Sequence, residues 1–146
     1  MKSCAFFGHH DCPQNISKNL YDSIEKLILC ENITVFYVGT HGNFDRLAYN
    51  TLCKLENIYP IQINVVLAYL NSKQNNRYDF NKTIFPSILE NTPLKYAIVK
   101  RNQYMVDNSN YVICYVNNSF SNAYTFVKRA KWKGADIINI GSYKFD

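Results

Sequence analysis

The sequence predicts an α/β protein: a Rossmann-like three-layer αβα domain with a mostly parallel sheet of about five strands. Two observations carry this expectation. Short apolar runs alternate with amphipathic stretches of helical period along the whole chain. Several of those runs also stop abruptly at small or polar residues, most sharply in FFGHHDC (6–12) and VFYVGTHGNFD (35–45). Strands that alternate with helices require right-handed crossovers, which give a parallel sheet with helices on both faces. In such sheets ligands sit beyond the carboxyl ends of the strands.

The elements follow in order. The first strand covers Ser3 to Phe7. A helix from Gln14 to Leu29 places Ile16, Leu20, Ile24, Leu27 and Ile28 at helical spacing. ITVFYV, from Ile33 to Val38, is β-branched and aromatic without a charge, as a strand covered on both faces should be. A second helix, Phe44 to Glu56, turns Phe44, Leu47, Ala48, Leu52 and Leu55 inward, and a third strand runs from Ile61 to Ala68. Residues 71–81 are polar and aperiodic, which predicts an exposed loop long enough to act as a lid. A helix from Pro93 to Asp107 and a strand from Tyr111 to Val116 follow. The last helix runs from Ser121 to Lys133 with Gly134 placed to end it, and a fifth strand covers Asp136 to Ile140.

The length of 146 residues predicts one domain, 1–146, with a single substantial core. The net charge of +5 favours anionic ligands, but no Lys/Arg run marks a nucleic-acid tail. The densest basic stretch, KRAKWK (128–133), falls mostly on the outer side of a helix, so nucleic acid is not the expected partner. No apolar stretch reaches the roughly 18 residues needed to cross a bilayer, and no apolar leader follows Met1 and Lys2. The five cysteines contain no CxxC pair and an odd count, the pattern of reduced thiols in a cytoplasm. The expectation is a cytoplasmic protein without a membrane partner. Four Asn-x-Ser/Thr sequons then carry no meaning; they follow from the nineteen Asn in the chain.

Four constellations carry candidate chemistry. In Gly8-His9-His10-Asp11 the glycine lets the backbone approach a ligand, and the imidazoles and nearby N–H groups suit phosphate or carboxylate. The plainer reading is a turn in which Asp11 or Asn15 caps the first helix. A metal site from His9, His10, Cys12 and His41 lacks any HxxxH spacing, and adjacent histidines point apart, so neither metal nor cofactor is expected. In Gly39-Thr40-His41-Gly42 two glycines bracket a strand-to-helix loop that has the makings of an anion nest. Asp45, just beyond, suits the helix macrodipole with or without a ligand; equally, it can accept a hydrogen bond from a ribose or base. Arg101, beside Asn102, is either an anion clamp or an exposed arginine on an amphipathic helix. NNSFSNA (117–123) supplies Ser119 or Ser121 as an N-cap, and no GxSxG elbow supports a serine nucleophile. Cys12 and Cys114 read as core thiols.

At these residues the chain resembles the SLOG superfamily, related to the Smf/DprA DNA-processing proteins and the LOG enzymes, and in particular its small YspA-like bacterial and phage branch. FFGHHDC, FYVGTHGNFDRLA, LENTPLKYAIVKRNQYMVDNSNYVICYV and FSNAYTFVKRAKWKGADIINI resemble four successive motifs of that branch in order and spacing. The resemblance implies a Rossmann-like sheet that holds a nucleotide-derived ligand with a shell of Gly8, His9, His10, Gly39, Gly42, Asp45, Arg101, Asn102, Ser121, Asn122 and Ala123. Thr40, His41 and Asp11 complete the candidate set. It also implies a homo-oligomer, since related domains associate through helices. Two departures stand out: His10 replaces the family's arginine, and Ser121-Asn122 replaces its Gly-Gly turn. The LOG signature PGG-x-GT-x-x-E is absent, and Thr125, Val127 and Lys128 stand where its last-helix acid would be.

Three functions are in play. The leading one is non-catalytic sensing or sequestration of a nucleotide-derived small molecule such as an ADP-ribose or cyclic nucleotide species, in a defence-signalling setting. The second is a phosphoribohydrolase or nucleosidase that uses Asp45 or Asp11 as acid/base and Arg101 for phosphate. The third is a protein-interaction or inhibitor module on a degenerate scaffold that works through surface tyrosines.

Overall fold

The computed structural model describes residues 2–145. Met1, on which the leader reading rests in part, lies outside them. Six parallel strands form one sheet: β1 (Ser3–Gly8), β2 (Val35–Val38), β3 (Gln62–Val66), β4 (Thr83–Ile84), β5 (Tyr111–Tyr115) and β6 (Asp136–Asn139), in the order β4-β3-β2-β1-β5-β6. Four helices cover it: α1 (Ser17–Glu31), α2 (Asn43–Glu56), α3 (Ala97–Asp107) and α4 (Asn122–Trp132).

Side chains alternate along β1 and divide the core in two. Cys4 and Phe6 face α1 and α2, where Leu20, Ile24, Phe44 and Leu52 close the larger cluster. Ala5 and Phe7 face α3 and α4, where Met105, Phe126 and Val127 close the smaller one. Phe6 lies between the rings of Phe36 and Phe44 at centroid distances of 6.1 and 6.4 Å. Cys12 and Cys114 are both buried.

Five strands fall where the hydrophobic runs placed them. The sixth, β4, is a two-residue edge strand whose polar and apolar residues carry no period, and it pairs only with the end of β3. The polar segment 71–81 folds into two 3-10 turns, Lys73–Arg77 and Phe80–Lys82. Asn75 pins it by donating to the carbonyls of Tyr69 and Leu70 at 2.8 and 3.1 Å. Neither Asp11 nor Asn15 caps α1, because a 3-10 turn at Gln14–Ile16 leads into it and no side chain accepts from its N-terminal N–H groups. Gly134, at φ +100°, follows the end of α4 in the left-handed conformation that glycine adopts freely.

The chain runs outward from β1 through β2 and β3 to β4, then returns to the other side of β1 as β5. The loops after β1 and β5 therefore leave toward opposite faces, and a crevice opens between them. Two of the phenylalanines that line that crevice, Phe6 and Phe120, separate in energetic terms. Phe6→Ala is expected to cost about 3–5 kcal/mol because it empties a fully packed site. Phe120→Ala is expected to stay within about 0.5 kcal/mol, since Phe120 is 94% exposed. Urea denaturation of the two variants checks both figures.

Candidate functional site

Three loops and two helices build a cleft of about 710 Å³ at this crevice. The first loop starts at Gly8, which ends β1 against the ring of Phe44. His9 reaches across to the loop after β5: its N–H donates to the Tyr115 carbonyl at 3.3 Å, and its Nε2 accepts the Asn117 N–H at 3.0 Å. A backbone amide can only donate, so the neutral His9 ring carries its proton on Nδ1. His10 turns back toward α2, and its carbonyl accepts the Asn43 N–H at 2.8 Å. The first loop thus ties itself to both of its neighbours through backbone and imidazole contacts.

The second loop is held from below. Gly42 takes φ +92°, and a Cβ there would sit 2.7 Å from the His10 Cα, so only glycine fits. Gly39 lies between two charged groups: a Cβ on it would be 2.8 Å from Asp45 Oδ2 and 3.1 Å from Arg101 Cζ. Two donors of the expected anion nest are already taken. The His41 N–H donates to Asp45 Oδ2 at 2.9 Å and the Asn43 N–H donates to His10, so the protein's own groups occupy donors that a nest would offer a ligand.

Arg101 is only 2% exposed, which removes the reading of a solvated arginine on a helix surface. Its Nη1 donates to the Val66 carbonyl at 3.1 Å and to Thr40 Oγ1 at 3.4 Å. Nη2 meets His41 Nδ1 at 3.3 Å, and Nε donates to Asn102 Oδ1 at 2.8 Å. Guanidinium has no acceptor, so His41 Nδ1 accepts and the neutral ring holds its proton on Nε2. Among the described residues no carboxylate comes within ion-pairing distance of Arg101. Burial works against its charge, and the nearby Asp45 works for it. Burial, with Arg101 and His10 nearby, pulls the His41 pKa down to about 4. Burial raises Asp45 to about 6, against the pull of Arg101, the His41 N–H and His10.

The third loop ends at Ser121, whose Oγ accepts the Tyr124 N–H at 3.2 Å and caps α4. No acceptor among the described residues takes the N–H groups of Asn122 and Ala123, which open onto the cleft with the positive end of the helix dipole behind them. Asn102 offers further donors, because Arg101 takes its Oδ1 and leaves the Nδ2 amide hydrogens without a partner among the described residues.

Of the sequence-predicted residues, Gly8, His9, His10, Asp11, Gly39 and His41 line the cleft on the side of β1 and β2. Asp45, Arg101, Asn102, Ser121, Asn122 and Ala123 line the rest. Thr40 and Gly42 do not. Thr40 is buried under its loop against His41 Nδ1 and Arg101, and Gly42 packs on His10. No residue of 71–81 lines the cleft, so the expected lid is not part of it. Sequence reasoning missed Val99, Phe120, Thr125 and Arg129. Thr125 and Arg129 stand three and seven residues beyond Asn122 on one stripe of α4, and that spacing was the available signal. Arg129 is 3.7 Å from Asp107, which Lys133 also binds closely. Among the described residues no group of three His, Cys, Asp or Glu could hold a metal ion, and no helix is long and apolar enough to cross a membrane.

The architecture has a solved counterpart. It matches the X-ray structure of DNA processing protein A (DprA) from Streptococcus pneumoniae with a TM-score of 0.73 at 18% identity. The fold is DprA-like. The match covers 100% of this chain, which spans 52% of the length of that DprA chain. No protein-family model matches the sequence, and no curated protein matches it. The expectation of a Rossmann-like α/β fold with a parallel sheet therefore holds, with six strands where about five were expected.

The buried carboxyl gives a pH signature. The raised Asp45 pKa favours the folded state when protonated, so this contribution is complete below the ordinary value of 3.8 and is lost as pH rises through about 6. Asp45→Asn keeps an acceptor for the His41 N–H without that ionisation. Relative to wild type, the variant is expected to gain roughly 2–3 kcal/mol of stability between pH 4 and pH 7.5. His41 is common to both chains and largely cancels. Thermal or urea unfolding across that range measures the difference, and parallel pH profiles would show that Asp45 ionises normally.

Proposed function

We propose that this chain is a SLOG-superfamily protein, of the small YspA-like kind, that binds a nucleotide-derived small molecule without turning it over. One observation carries the reading. The cleft lies at the topological switch point of a parallel sheet, and on the side away from Asp11 and Asp45 it gathers unpaired donors, the open N-terminus of α4 and the Asn102 amide, over the positive charge of the buried Arg101 guanidinium. That set suits a phosphate or pyrophosphate group. The apolar side chains of Val99 and Phe120 farther along suit a base or ribose. A volume of about 710 Å³ accommodates a mononucleotide or an ADP-ribose species.

The absence of turnover follows from the state of the acids. Asp45 already accepts the His41 N–H and is 8% exposed, while Thr125, Val127 and Lys128 stand where a catalytic acid of the LOG type would be. One observation favours the hydrolase reading: a carboxyl with a pKa of about 6 lines the cleft, within the range useful for acid/base work. The interaction-module reading has less support, since only Tyr96 of the twelve tyrosines is exposed.

Titration calorimetry with AMP, ADP-ribose and cyclic ADP-ribose tests the proposal. At least one is expected to bind saturably, and adenosine at least tenfold more weakly. Asn122→Asp places a carboxylate at the first position of α4, where it helps the helix but repels an anion. It is expected to keep the fold and weaken binding tenfold or more. Heat from none of the three with folded protein, or equal affinity for adenosine, overturns the reading. Release of free adenine from AMP, lost in Asp45→Asn, would establish the hydrolase instead.

A further inference from the structure

We propose that a groove between α2 and the 3-10 turn at Lys73–Arg77 is a second anion site, separate from the strand-end cleft, that takes a phosphoryl group, free or carried on a small ester. The groove holds about 350 Å³ and is lined by Arg46, Tyr49, Asn50, Arg77 and Tyr78. Arg46, Tyr49 and Asn50 share one face of α2 by their spacing of three and four residues. Arg77 and Tyr78 come from the end of the turn. An aromatic contact fixes the two segments together: the Tyr49 and Tyr78 rings meet edge to face at 4.7 Å, and Tyr49 Oη accepts the Asp79 N–H at 3.1 Å. The fold thereby brings two guanidinium-bearing segments to one groove.

Neither arginine has an ion-pair partner among the described residues. The neighbouring acids are engaged elsewhere, since Glu56 and Asp79 both hold Lys82, at 3.0 and 3.7 Å. The carboxyl beside Arg46 in sequence, Asp45, accepts the His41 N–H instead. Two cations without a counter-charge are stabilised by a bound anion. Tyr78 also lines the groove. Burial raises its pKa to about 12, with Asp45 also raising it and Arg46 and Arg77 pulling it back, so it stays protonated near neutral pH. Two guanidinium groups and the Asn50 amide, with no carboxylate in the lining, match the acceptor oxygens of phosphate. The flanking tyrosine rings offer apolar contact to the carbon skeleton of an ester.

The site-resolved test is NMR of the arginine Nε–H groups in ¹⁵N-arginine-labelled protein. The probes are inorganic phosphate, ribose 5-phosphate and sodium chloride at matched ionic strength. The Arg46 and Arg77 signals are expected to shift together along one saturating curve with phosphate and not with chloride. Tighter binding of ribose 5-phosphate would mark an ester as the natural occupant, and equal binding would mark free phosphate; both support the site. Arg77→Ala, at an exposed position, is expected to weaken the curve seen at Arg46 tenfold or more, whereas Lys18→Ala removes the same charge from α1 and leaves it unchanged. A phosphate response no larger than that of chloride, or an Arg46 curve indifferent to Arg77→Ala, overturns the proposal. Because the readout is local to these arginines, failure here leaves the nucleotide reading of the strand-end cleft standing, and the reverse holds too.

Discussion

The rim of this molecule depends on one buried guanidinium. Arg101 leaves α3, passes beneath the loop after β2, and ends on the Val66 carbonyl, Thr40 Oγ1 and His41 Nδ1. A charge buried to this degree is tolerated only when its donors are satisfied, and here they are satisfied by polar atoms of the sheet edge and the loop rather than by a carboxylate. The consequence is mechanical. Removing the side chain would leave the Val66 carbonyl and the Thr40 hydroxyl short of a partner and would free His41. The second loop would then lose the support that sets Gly39 and Asp45 against the cleft.

That arrangement also explains the division of labour around the cleft. The loop after β2, which reads in sequence as the anion cradle, uses N–H groups on Asp45 and on the backbone beside it. Among the described residues, the N–H groups of Asn122 and Ala123 on α4 and the Asn102 amide are donors without a partner that line the cleft. The positive charge under the cleft is permanent but set back, while the exposed donors are neutral and directional. Such a pairing favours a ligand by geometry first and by charge second. His9, bonded to the Asn117 N–H, holds the first and third loops at a fixed separation and so sets the width of the opening.

Much of this was legible in the sequence, for a physical reason. Strands buried on both faces are uncharged and β-branched, and they must end where polar residues resume, so VFYVGTHG announces both a strand and a rim. The alternation that places Phe6 and Phe7 on opposite faces follows from the same period. What was illegible depended on tertiary contacts. Burial of Arg101 cannot be inferred from KRNQY, since a helix surface and a loop floor both tolerate arginine. The occupation of two nest donors by Asp45 and His10 depends on a hydrogen bond across two loops. β4 is too short to carry a period. Arg46 and Arg77 lie far apart in sequence, and only the packing of Tyr78 on Tyr49 makes them neighbours.

NMR titration of the His41 imidazole tests the central claim most directly, because that ring lies against the buried guanidinium. A ring that accepts from Arg101 and is half enclosed should remain neutral, with its proton on Nε2, until pH falls to about 4. A ring that titrates near the ordinary 6.5, or that carries its proton on Nδ1 at neutral pH, would show that Arg101 does not hold the loop and that the rim is built some other way.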